Sequence, residues 1–122
     1  MTINNIIEMF FNRVPEIKNK IDVKLKENSI DMTDGIYVTW GMGVMPCVID
    51  TIYNYKDTGS QLEKVFMFFE EMANADEDIK DLLMYSTLEK LGDEKQILEI
   101  AYTYMGKETR ILSDRVEAFL GR

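Results

Sequence analysis

Apolar residues recur at helical spacing along most of this chain. Ile3, Ile6, Ile7, Phe10, Phe11 and Val14 follow steps of three and four residues, which places them on one helix face. Thr2 is positioned to cap that helix. Pro15 suits the first turn of a second helix, where a missing N–H leaves no bond unmade. There Ile17, Ile21 and Leu25 repeat, with Lys18, Lys20, Lys24 and Lys26 on the other face, and the helix is predicted to end near Asn28-Ser29.

Residues 29–43 lose this rhythm. Asp31-Met32-Thr33-Asp34-Gly35 reads as a turn, its aspartates able to accept from nearby backbone N–H groups. Ile36 to Trp40 is rich in strand formers, but a lone strand has no edge to pair with, so an extended loop is expected. Gly41-Met42-Gly43 is expected to interrupt the chain. Pro46 then opens a segment to about Tyr55 whose branched residues Val48, Ile49 and Ile52 suit a helix or a strand; its helical neighbours favour helix.

Past Lys56-Asp57-Thr58-Gly59, which reads as a turn, Ser60-Gln61-Leu62-Glu63 has the form of a capping box. Leu62, Val65, Phe66, Phe69 and Ala73 follow at helical spacing, and Met67, Phe68 and Met72 widen the apolar face, so this helix is predicted to be central. Asn74-Ala75-Asp76 breaks it. Ile79, Leu82, Leu83 and Ser86 define the next helix, ended by Leu91-Gly92. Asp93 to Gln96 starts another, with Ile97, Ile100, Ala101 and Tyr104 on its face, and Gly106 stops it. Leu112, Val116, Phe119 and Leu120 form the inner face expected of the last helix. The pattern predicts one all-α domain over residues 1–122. Six to seven helices form a compact bundle, with stacked repeat-like hairpins as one arrangement and an irregular extended loop near residues 29–43.

Composition narrows what such a bundle can do. The chain holds no histidine, which removes Ser-His and Cys-His nucleophile pairs and imidazole metal sites. No phosphate loop occurs, and Gly41-Met42-Gly43 lacks the third glycine of a dinucleotide fingerprint. Neither a catalytic residue nor a cofactor is expected. Cys47, the single cysteine, lies among apolar neighbours and reads as a small buried hydrophobe. Glu8 interrupts the N-terminal apolar run, and no window reads as a membrane span, so a cytoplasmic protein is expected.

Charge adds a direction. The 14 basic and 22 acidic side chains give a net −8, and the acidic excess lies after residue 30. Such a field repels nucleic acid and anionic lipid and attracts basic proteins. Asp76, Glu77, Asp78 and Asp81 lack the glycine and distal glutamate of a calcium loop; they suit the positive end of a helix. Glu70 and Glu71 could act as an acid/base pair only if buried, and adjacent helix positions point about 100° apart.

Two partner-binding faces follow as candidates. One joins Asp31, Asp34, Tyr37 and Trp40 in the irregular segment, with Tyr53, Tyr55, Asp50 and Asp57 near it; the same aromatic residues could instead pack the core. The other collects Glu70, Glu71, Asp76, Glu77, Asp78 and Asp81.

Several stretches also carry a resemblance. Phe10-Phe11 with Val14-Pro15-Glu16-Ile17, Phe66 to Glu71, Thr87 to Asp93, Tyr104-Met105-Gly106 and Phe119-Leu120-Gly121 span most of the chain. They resemble a family of small bacterial helical proteins of unassigned activity found near polymorphic toxin genes and regarded as immunity proteins. That family often has a histidine after the second helix, and this chain has none. The resemblance implies a protein that binds a cognate toxin domain, as in contact-dependent growth inhibition, and occludes it without catalysis; the acidic charge points to a basic toxin, and the chain is expected as a monomer or homodimer. A helical adaptor or self-assembling interaction module is the alternative.

Overall fold

The computed structural model describes residues 1–122 and contains seven helices and no strand. These are α1 (Ile6–Arg13), α2 (Pro15–Glu27), α3 (Ile36–Tyr53), α4 (Tyr55–Ala73), α5 (77–91), α6 (Lys95–Tyr102) and α7 (Lys107–Leu120). The all-α bundle expected from the hydrophobic rhythm is what forms.

The central role of α4 follows from its broad apolar face. Leu62, Val65, Phe66, Phe68, Phe69 and Met72 are all buried, and α1, α3, α5 and α7 pack around the helix. One continuous cluster of 30 buried residues runs through every helix. Phe10 of α1 meets Trp40 and Phe68 edge-on, with ring centroids 5.5 and 5.3 Å apart, the geometry that aromatic quadrupoles favour.

The irregular segment is shorter than the sequence suggests. A 3₁₀ turn at Met32–Asp34 and Gly35, whose φ of +96° suits a residue without a Cβ, lead straight into α3. Ile36 to Trp40, expected as extended loop, is helical, and Gly41-Met42-Gly43 lies inside the helix rather than breaking it. Close packing explains the glycines. A Cβ on Gly43 would lie 2.5 Å from Leu25 Cδ2, and one on Gly41 would lie 3.0 Å from Lys90 Nζ. Both glycines therefore serve helix approach, and tertiary packing overrides the local preference for a break.

Residues 44–53 are helix, as their neighbours implied. The turn expected at residues 56–59 is only a kink: α4 starts at Tyr55, Thr58 alone leaves helical angles, and its hydroxyl donates to Thr51 O at 2.7 Å. Ser60 therefore lies inside a helix and caps nothing. Asp93 likewise caps nothing, because α6 starts at Lys95.

One helix does have the length and apolarity of a membrane span, contrary to the sequence reading. Ile36–Tyr53 has a mean hydropathy of 1.2 over 18 residues. Its apolar side faces the bundle: Trp40, Val44, Met45, Val48 and Ile52 are all fully buried.

Candidate functional site

The site is built on two helices that widen where they touch. In α3, Met45 N–H bonds Trp40 O, and in α5, Glu89 N–H bonds Met84 O; each is an i→i+5 bond closing a π-turn, at Trp40–Val44 and Met84–Leu88. Such turns insert one extra residue and recur at functional sites. Here the two pack against each other. The seam is polar at its centre. Trp40 Nε1 donates to Thr87 Oγ1 at 2.9 Å, and the Thr87 hydroxyl donates to Leu82 O at 3.3 Å. At the rim, Lys90 Nζ donates to Gly41 O at 2.7 Å.

This seam presents side chains on its solvent side. Tyr37 of α3 is 48% exposed and Tyr85 of α5 is 57% exposed. Partial burial raises the Tyr37 phenol above its ordinary value, and the fields of Asp81, Asp78 and Tyr85 add to that. These four residues therefore form one electrostatic neighbourhood, two aromatic rings beside two carboxylates. Asp78 is exposed and Asp81 half-buried.

Beyond Tyr85 the surface turns apolar. A groove of about 270 Å³ between α5 and α7 is lined by Met84, Tyr85, Glu89, Arg115, Val116, Phe119 and Leu120. Phe119 is 87% exposed and Leu120 is 39% exposed. The sequence places both in the core through helical spacing, but α7 runs past the bundle edge there, and only Leu112 and Val116 stay buried.

The residues expected at an interface are thus regrouped. Tyr37 joins Asp78 and Asp81, which the sequence had assigned to a separate face. Trp40 is removed from any surface, being 0% exposed, because the helix through residue 40 turns its indole into the core. Asp31 and Asp34 are exposed, but they serve their own turn: Asp31 Oδ1 accepts from Thr33 N–H at 2.8 Å and Asp34 Oδ2 from Asp31 N–H at 2.9 Å. The Thr33 hydroxyl and N–H hold the Asp31 carboxyl below its ordinary value. Glu77 is exposed in the first turn of α5.

The remaining acids lie elsewhere. Glu70, Glu71 and Asp76 line a cleft of about 520 Å³ with Met1, Met9 and Met67. Glu71 is ion-paired with Arg13. Glu70 is a structural cap: its carboxylate accepts from Glu108 N–H at 3.0 Å, Thr109 N–H at 2.8 Å and the Thr109 hydroxyl at 2.7 Å. The two N–H bonds satisfy the start of α7, where helix N–H groups have no partner of their own, and the hydroxyl adds a third. Burial pushes the Glu70 carboxyl up, but the bonds from Thr109 and Glu108 outweigh it and hold it below its ordinary value. A carboxylate held this way is neither a free contact nor a general acid.

No three carboxylate or thiol side chains come together as metal ligands. Cys47 is buried, and burial raises its thiol, with Lys24 and Lys20 opposing and Asp50 and Glu27 adding. Tyr53 donates to Glu94 from an exposed position, which raises the Tyr53 phenol.

Sequence reasoning missed Tyr85, Arg115 and Phe119. For Tyr85 a signal existed: it is an aromatic residue one position beyond the apolar face of α5 and four past Asp81.

Comparison with known proteins gives the family but not an activity. A family model, "Domain of unknown function (DUF7674)", matches residues 7–121. The chain belongs to that family. No curated protein and no solved structure matches it.

Proposed function

We propose that this member of the DUF7674 family is a cytoplasmic immunity protein that neutralises a basic toxin domain by covering it. One observation carries the reading: Tyr37 on α3 and Tyr85 on α5 are exposed beside the seam of the two helices, within reach of the fields of Asp78 and Asp81. Tyrosine supplies large contact area at low cost in conformational entropy, and paired carboxylates steer a cationic partner and pair with its lysines or arginines. The platform below is held by the Trp40–Thr87 and Lys90–Gly41 bonds, so the two helices that carry these side chains are fixed relative to each other before binding. The net charge of −8 supports fast association with a basic surface.

The chemistry is occlusion. Tyr37 and Tyr85 exclude water from the contact, while Asp78 and Asp81 accept hydrogen bonds from the toxin's cationic groups. Co-expression with the product of the neighbouring gene tests the reading. Rescue of growth, together with a 1:1 complex of the purified proteins, is expected. Absence of binding even at low salt would overturn it.

A further inference from the structure

We infer that the groove between α5 and α7 is the docking site for a second copy of this chain. Three features point there. First, knob and hole lie on the same patch: Phe119 projects almost free of the surface beside a groove floored by Met84, Val116 and Leu120. A patch carrying both halves of a contact is self-complementary and closes under two-fold symmetry.

Second, the charges on that patch cancel. Its lining holds one acid, Glu89, and one base, Arg115, on a chain whose net charge is −8. A basic partner gains no field there, while a second acidic copy meets no local repulsion. Third, Arg115 is the one arginine without an ion pair inside the fold. Arg13 pairs with Glu71, Arg110 with Asp114, and Arg122 with Asp93 and Glu117. In the two-fold dimer each Arg115 faces Glu89 of the other copy, and each Phe119 enters the other groove. Ile111, also exposed, extends the stripe one turn further along α7 at four-residue spacing from Arg115.

This assembly shares Tyr85 with the proposed toxin contact, and salt separates the two. Two like-charged chains repel through solvent, so added salt tightens the dimer, whereas it weakens the grip on a basic toxin. Sedimentation equilibrium of the full chain tests the inference. A concentration-dependent dimer, strengthened by salt, is expected. Phe119→Ser should weaken it by about a hundredfold, as loss of a central aromatic anchor does on both copies. Arg115→Glu should weaken it by roughly tenfold, and adding Glu89→Arg should recover most of that loss. Phe119 is exposed, so unchanged circular dichroism should accompany its replacement. A monomer at every concentration and salt would overturn the inference, as would a dimer indifferent to Phe119→Ser.

Discussion

The indole N–H of Trp40 donates to the Thr87 hydroxyl at 2.9 Å, across 47 residues of sequence and in the dry centre of the bundle. That bond locks the two π-turns together and holds the exposed face of α3 against that of α5. Its removal leaves a buried donor without a partner, which costs about 1–3 kcal/mol. Thr87→Val is nearly isosteric and isolates the effect. The expected outcome is a fall in thermal midpoint of roughly 3–10 °C by calorimetry, with the helix content intact. Trp40→Ala removes a fully buried indole as well and should cost about 3–5 kcal/mol.

Glu70 caps α7 from a neighbouring helix, and the acid limb of stability should report it. A carboxyl held below its ordinary value contributes stability that is complete above the ordinary value of the unfolded chain. The contribution is lost as pH falls through the lower, folded value. Glu70→Gln should therefore destabilise at neutral pH by about 1–2 kcal/mol and lose less stability than the native chain on acidification. Urea unfolding at stepped pH reads both effects.

Gly106 is required by the same cap. A Cβ there would lie 2.5 Å from the Glu70 carboxyl carbon. Gly106→Ala should displace the carboxylate from Glu108 and Thr109 N–H and destabilise by about 1–3 kcal/mol, even though alanine is ordinarily the easier residue to order. A denaturation midpoint equal to that of the native protein would mean that Glu70 can bond from elsewhere.

The neighbourhood of Tyr37 is open to direct titration. Its phenol ionises above the ordinary value because of partial burial and the fields of Asp81, Asp78 and Tyr85. The sign follows: the neutral phenol is favoured in the fold, and the associated stability is present below pH 10 and lost as pH rises through the folded value. Replacing Asp78 and Asp81 with asparagine should lower the Tyr37 midpoint towards 10. Ultraviolet titration, with the Tyr37→Phe variant subtracted to isolate this ring from the other five tyrosines, measures it.

Much of the bundle was legible in the sequence, and the reasons are local. Ile6, Ile7 and Phe10, and Leu62, Val65, Phe66 and Phe69, repeat at helical spacing and are buried as that spacing requires. The failures share a cause: long-range packing reversed a local preference. Gly41 and Gly43 look like breakers but admit Lys90 and Leu25 to the backbone of α3. Phe119 and Leu120 keep the helical rhythm of a core that ends before reaching them. Trp40 has the character of an interface anchor, yet its partner Thr87 lies 47 residues away, in a helix whose pairing with Trp40 no local pattern announces. The surface joining Tyr37 to Asp78 and Asp81 is half visible in the sequence, where charge and aromatic character mark these residues but put them on two faces rather than one. Only the pairing of the π-turns unites them.

Occlusion by the Tyr37 face is tested most directly by stopped-flow association with the proposed basic toxin domain, at low salt, for the native chain and for Asp78→Lys/Asp81→Lys. Reversing these two charges should slow association by at least about tenfold and flatten its dependence on salt, while costing the fold only about 1–2 kcal/mol from the lost acids near the start of α5. Equal association rates for the two proteins would contradict it.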